Sequence, residues 1–197
     1  RIGDSGVIDG VRYVVRSERE LRSLIRQNKW SEVERTCTSR ITNMSSMFYG
    51  DRTFNNPIGN WDTSRVTNMR GMFMNARAFN QSVGGWDTSR VTDMQGMFYR
   101  ARTFNQPIAT WNVSRVHTMS SMFGDAHAFN QPVGAWDTSR VVDMRAMFMN
   151  ARAFNQPIAE WNISRVRDMT GMFDDASRFR QDLSAWVTRL PNNVEID

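Results

Sequence analysis

Residues 61–85 read WDTSRVTNMRGMFMNARAFNQSVGG, and this stretch decides how the rest of the chain is read. Its pattern returns at a fixed interval. Trp stands at 61, 86, 111, 136, 161 and 186, a 25-residue period without insertion or deletion. Thr36 holds the Trp position of an earlier unit. Six units follow, at 36–60, 61–85, 86–110, 111–135, 136–160 and 161–185, and a seventh starts at Trp186 and degenerates. The consensus is W-D/N-T-S-R-V-x-x-M-x-x-M-F-x-x-A-x-x-F-N-Q-P-I-x-x. All 12 Phe and all 14 Met of the chain lie inside the units. One unit holds too few large apolar side chains to offset the entropy of ordering it. Stacked units bury both faces, so the array folds together or not at all. An insertion in one unit would break register with both neighbours.

Two patterns alternate within a unit. Val66, Met69, Met72, Phe73, Ala76 and Phe79 follow a helical spacing, which predicts a short helical segment, partly 3₁₀, with Ser64 as its N-cap. Ile58–Thr63, preceded by Pro57, has the length of a strand. Ile58 and Trp61 lie three apart, which predicts a bulge or bend there. One strand and one short helix per 20–29 residues is the leucine-rich-repeat plan. The expected fold class is therefore a right-handed α/β repeat, a leucine-rich-repeat-like β/α solenoid of about six 25-residue units with an N-terminal αβ cap. Its domains would be a cap at 1–35, the units at 36–185 and a C-terminal cap at 186–197.

The cap has its own signals. Val7 to Val15 reads as two strand pieces turning at Asp9-Gly10. Ser17 and Glu20 form a capping-box pattern ahead of a helix over 18–28 with Leu21, Leu24 and Ile25 on its apolar face. Trp30 and Val33 would cover the first unit. At the other end, Trp186 begins a unit that Pro191 stops.

The elements W-D-T-S-x-V, M-x-x-M-F and F-N-Q-P-I, the last intact at 104–108 and 154–158, resemble the 25-residue repeat of BspA-like leucine-rich-repeat surface proteins. The nearest subset is the lipoprotein-type, mycoplasma-type repeat of unknown function. The resemblance covers about residues 36–190. It implies a solenoid, often displayed extracellularly or on a surface, with adhesion or partner binding and no catalytic residues.

Composition narrows the function. The chain has 197 residues, a net charge of +5, one cysteine and two histidines. Cys37 alone gives no intrachain disulfide and no cysteine metal cluster. His117 and His127 lie ten apart in variable positions, with no assembled Asp–His or Cys–His set. No catalytic residue, metal or cofactor is expected. No apolar run reaches the length of a membrane span. The first residue is Arg1, which reads as a processed or trimmed N-terminus and leaves organelle and virion open as locations. Of the 25 basic residues, 24 are Arg and one is Lys29. Arg suits planar, bidentate contact with carboxylate, sulfate or phosphate.

Stacking turns each repeat position into a column. One column is Arg40, Arg65, Arg90, Arg115, Arg140 and Arg165. At a strand-like spacing, adjacent charges repel by ~0.9 kcal/mol in water before screening. Two readings stand: a track for an acidic partner, or forks bracing the turns through Asp62, Asp87 and their counterparts. Asn55, Asn80, Asn105, Asn130 and Asn155 form a second column, ended by Arg180, for side-chain-to-backbone bonding in a turn. Before each Trp lie small or variable residues, including Asn60, Thr110 and Glu160, which would line a contact face. Met74 and Met149 follow Phe and are expected to point outward. The sequons at Asn43, Asn112 and Asn162 fall inside the packed consensus, so glycosylation there is not expected.

The expected function is a non-enzymatic interaction module that binds another protein or an acidic glycan. The alternative is a structural subunit of a large assembly, such as a virion or membrane complex. Nucleic acid is disfavoured as a partner, because the aromatics are periodic core residues rather than exposed platforms between basic residues.

Overall fold

The computed structural model describes residues 1–190. The chain opens with a hairpin. Strands β1 (Ser5–Ile8) and β2 (Val11–Val15) pair antiparallel, with Ile8 opposite Val11. Asp9 and Gly10 make the turn with φ of 48° and 77°, the positive pair that a two-residue hairpin requires. Helix α1 (Glu18–Arg26) ends two residues short of the range expected from sequence. Its capping box is complete: the Ser17 hydroxyl accepts from the Glu20 amide, and the Glu20 carboxylate accepts from the Ser17 amide. Leu21, Leu24 and Ile25 are buried on its inner face. A second short helix, α2 (Trp30–Glu34), buries Val33, and Trp30 packs on Phe54 at 5.2 Å. Strand β3 (Thr36–Cys37) then pairs parallel with β2 and leads into the repeats.

From Thr38 to Leu183 the described residues form no α-helix and no strand longer than an isolated bridge. This corrects both local expectations for the unit. Residues 66–79 are consecutive turns, not a helix. In the unit at 61–85, Met72 N–H donates to the Met69 carbonyl at 3.1 Å, Met74 to Gly71 at 3.0 Å and Ala76 to Phe73 at 2.9 Å. Gly71 and Asn75 have φ of 58° and 63°. A positive φ at the third residue marks a type II turn and excludes a continuing right-handed helix. Ile58–Thr63 is not a strand either. Trp61 N–H donates to the Ile58 carbonyl at 3.1 Å, closing a turn. That turn accounts for the three-residue spacing that broke strand alternation.

The turns explain the apolar pattern. Ile58, Trp61, Val66, Met69, Met72, Phe73, Ala76, Phe79 and Val83 stand at turn ends and are all buried. A run of turns sharing end residues repeats about every three positions, as a 3₁₀ stripe would.

Pairing between units runs through this turn segment. Asn43, Asn68, Asp93, Thr118, Asp143 and Asp168 are joined successively by parallel bridges, each 25 residues apart. Met69, Gly71, Phe73 and Asn75 donate their amides to carbonyls of Asp93, Gln95, Met97 and Tyr99 at 2.7–3.0 Å. Alternate amides thus close the turn, and the others reach the next unit. Side chains stack in matching columns. Phe73 lies 5.5 Å from Phe98, and Trp86 lies 6.5 Å from Trp111 with planes 3° apart. Within a unit, Phe73 and Phe79 stack at 3.9 Å. Trp186 is fully buried in a short helix, α3 (Ser184–Val187). The stop expected at Pro191 lies outside the described residues.

Candidate functional site: two columns of cations

Arg40, Arg65, Arg90, Arg115, Arg140 and Arg165 all lie on the surface. None makes a hydrogen bond or ion pair among the described residues. The bracing geometry expected as one alternative is therefore not formed. The nearby acidic column is otherwise engaged. Asp62 Oδ1 accepts from the Ser64 amide at 3.0 Å and the Ser64 hydroxyl at 2.6 Å, and Asp87 and Asp137 accept likewise from Ser89 and Ser139. Ser64 is thus the recipient of an Asx-type cap and not the N-cap of a helix. Hydrogen bonds from Ser89 hold the Asp87 carboxyl below its usual range, and the Arg90 charge is the last contributor. Hydrogen bonding, not ion pairing, orients these carboxylates.

The residues before each Trp divide into two kinds. A Cβ on Gly59 or Gly84 would meet a carbonyl oxygen of the next unit at 2.6 or 2.5 Å, and Gly134 stands in the same relation to Pro157. Small size there serves the approach of neighbouring backbones rather than a partner. The following position is open: Asn60, Thr110 and Glu160 are exposed. Asn60 Nδ2 reaches the Tyr13 hydroxyl at 3.4 Å, and the Thr110 hydroxyl donates to the Gly84 carbonyl at 3.1 Å. A shallow groove of about 590 Å³ runs past Pro132, Ala135, Pro157 and Glu160. Asn112 and Asn162 are exposed, while their side-chain oxygens accept from Ser114 and Ser164. Met74 is half-buried, its methyl over Gly96, and does not point outward.

A second cation column went unread in the sequence. Arg52, Arg77, Arg102, His127 and Arg152 share one position in successive units. The signal was available: the motif Ala-Arg-x-Phe at 76–79, 101–104 and 151–154. The fourth member sits in a polar cluster. Asp125 receives Arg100 Nε at 3.2 Å and the Asn150 amide, and lies 3.7 Å from His127 Nε2. Burial works to raise the Asp125 carboxyl, but the Asn150 and Arg100 bonds outweigh it and hold it low. Burial, then the Arg152 and Arg102 charges, push the His127 imidazole below its usual range. Arg100 also covers the Tyr99 ring at 5.0 Å.

The family model described as Mycoplasma protein of unknown function, DUF285, matches residues 19–133 and 105–196. The chain belongs to this family. The two matches overlap inside the repeat, as a periodic sequence allows, and together they take in all of α1 but its first residue, α2 and every unit. No curated relative and no solved structure matches the chain. The family is a repeat family, and its description assigns no function. No helix among the described residues is long and apolar enough to cross a membrane.

Proposed function

We propose that this DUF285 protein is a non-enzymatic interaction module whose 25-residue units form a solenoid of BspA-like, leucine-rich-repeat kinship, displayed to an acidic protein or glycan partner. The unit-to-unit bridges and ring columns support the stacked architecture. One observation carries the functional reading. Six arginines in successive units stand exposed and without partners among the described residues. Guanidinium forks held in register match a partner with repeated carboxylate or sulfate groups. Surface or adhesive display is the setting in which such a module would act.

Heparin affinity tests this reading. Retention by the wild type should fall steeply between about 50 and 200 mM salt, as counterion release requires for a charged track. Replacing Arg90 and Arg115 together with Gln should remove most of that retention and leave stability unchanged. Unchanged retention with lost stability would return the column to a bracing role.

A second reading, a structural subunit of a larger assembly, is favoured by the cap. Ile2, Val7 and Ile8 are 55%, 68% and 63% exposed on and beside a hairpin whose outer strand β1 has a free edge. Apolar residues on an open strand edge suit burial against another subunit. Migration in a particle far larger than 22.8 kDa in native extract would select this reading over the free module.

A further inference from the structure

The second cation column is densest at its first three members. Arg52, Arg77 and Arg102 lie in successive units, and the rings two residues beyond them, Phe54, Phe79 and Phe104, stack at 5.7 and 6.0 Å. Backbone contacts fix the arginines themselves. The Ala78 amide donates to the Arg52 carbonyl at 3.2 Å, and the Thr103 hydroxyl donates to the Arg77 carbonyl at 2.9 Å. Three guanidinium side chains therefore rise from one ridge, one unit apart.

Nothing among the described residues neutralises them. None of the three has an ion pair or a side-chain hydrogen bond among the described residues. The adjacent carboxylates are taken: Asp51 accepts from the Thr53 and Phe54 amides, and Asp125 is held by Arg100 and Asn150. Arg77, the middle member, is partly buried, and its Nε–H is shut from water with no acceptor. Repulsion from Arg52, then from Arg102, pushes the Arg77 guanidinium below its usual range. A donor sealed without a partner is costly, and so are three like charges held in register.

We propose that Arg52, Arg77 and Arg102 form a binding site for a phosphate monoester group, built across three repeat units and separate from the exposed arginine column. The ligand class follows from charge and donor count. A carboxylate brings one charge and two oxygens. A phosphate monoester brings a charge of about −1.5 to −2 and three strong acceptor oxygens, one for each guanidinium fork. An arginine side chain spans one unit step, so the outer members reach a ligand seated over Arg77. Nucleic acid is a poorer fit: duplex DNA carries a charge every ~3.4 Å per strand, denser than one per unit here.

Titration calorimetry of the full chain with inorganic phosphate, at ionic strength held constant with chloride, tests the site. The wild type should show saturable heat. Arg77→Gln should weaken phosphate at least about tenfold, the loss of one charge-assisted contact. Arg167→Gln, an exposed arginine outside both columns, should bind as the wild type does. Arg52→Gln with Arg102→Gln provides a second test should Arg77→Gln fail to fold, and it too should lose binding. Absence of saturable heat overturns the site, as does an equal loss in Arg167→Gln. Sulfate binding as tightly as phosphate overturns the monoester assignment. Heparin retention through Arg90 and Arg115 is read separately, so either proposal can fail alone.

Discussion

The indole N–H of Trp86 donates to the carbonyl of Ile58, 28 residues earlier, at 3.2 Å. The relation repeats along the array. Trp111 donates to Val83, Trp136 to Ile108 and Trp161 to Val133 at 3.0–3.2 Å, so each Trp bolts its unit to the turn before the previous Trp. At the two ends the relation changes: Trp186 donates to Ala159, 27 residues earlier, at 3.0 Å, and the indole N–H of Trp61 bonds nothing among the described residues. Its Nε1 is buried without an acceptor, because the helix α2 stands where a preceding unit would offer a carbonyl.

This contrast gives a paired prediction. Trp86→Phe keeps an aromatic ring in the column but removes one of the two hydrogen bonds to the Ile58 carbonyl, which retains the Trp61 amide, a cost of about 0.5–1.5 kcal/mol beyond the change in packing. Trp61→Phe removes a donor that bonds nothing. Urea denaturation of the two variants should therefore show Trp86→Phe as the less stable, by about 0.5–1.5 kcal/mol. Equal losses would mean that ring volume, not the indole bond, sets the Trp requirement.

The His127 cluster predicts a pH effect. The imidazole faces Asp125 at 3.7 Å and the Asn150 amide at 3.4 Å, with Arg102 and Arg152 above and below in its column and Arg100 beyond Asp125. Its folded-state pKa lies below the ordinary 6.5. The unfolded chain therefore binds more protons near that pH, and stability rises with pH. This contribution is complete above about pH 6.5 and is lost as pH falls through 6.5 toward the folded value. The Asp125 carboxyl, held below 3.8, titrates in a more acid window and does not mask the effect. Melting temperatures at pH 7.5 and 5.5 should differ less in His127→Gln than in the wild type. An unchanged difference would show that another group carries it.

The array's core was legible in the sequence because burial depends on spacing, and the 25-residue period places Trp, Phe and Met in columns whatever the local backbone. The backbone itself was not legible. Val66, Met69 and Met72 have the three-residue spacing of a helical stripe, and chained turns give the same spacing. Only a positive φ separates the two, and its sequence mark is erratic. Gly71, Gly96 and Gly171 announce it, whereas Ser46, Ser121 and Ala146 take the same conformation at φ of 52–54°. The first arginine column stood out because each member follows directly on the Ser of the recurrent Trp-Asp/Asn-x-Ser run, Arg40 alone following a Thr-Cys-Thr-Ser variant. Arg52, Arg77 and Arg102 were hidden by His127, which interrupts the column in type while retaining its place. Whether Arg90 bonds Asp87 could not be read from adjacency. Ser89 competes for that carboxylate at shorter range.

The asparagine column yields the last prediction. Asn105 Oδ1 accepts the Asn130 amide and the Gln131 side-chain amide, both at 2.9 Å, and the Asn105 amide donates to Asn80 Oδ1 at 3.0 Å. Each member thus receives from the next unit and donates to the one before. Arg180 ends the column, and it only donates, its amide meeting Asn155 Oδ1 at 2.9 Å. A side-chain acceptor is required wherever another unit follows. Asn105→Ala should orphan the half-buried Asn130 backbone amide, while the Gln131 side-chain amide keeps the Asn105 carbonyl as acceptor, and cost about 1–3 kcal/mol. Asn105→Asp retains the acceptor and should recover most of that loss. Arg180→Ala keeps the donating amide and should fall within about 0.5 kcal/mol of the wild type. Chemical denaturation of the three variants checks the order. A loss in Arg180→Ala as large as in Asn105→Ala would show that the column is held by side-chain packing rather than by relayed hydrogen bonds.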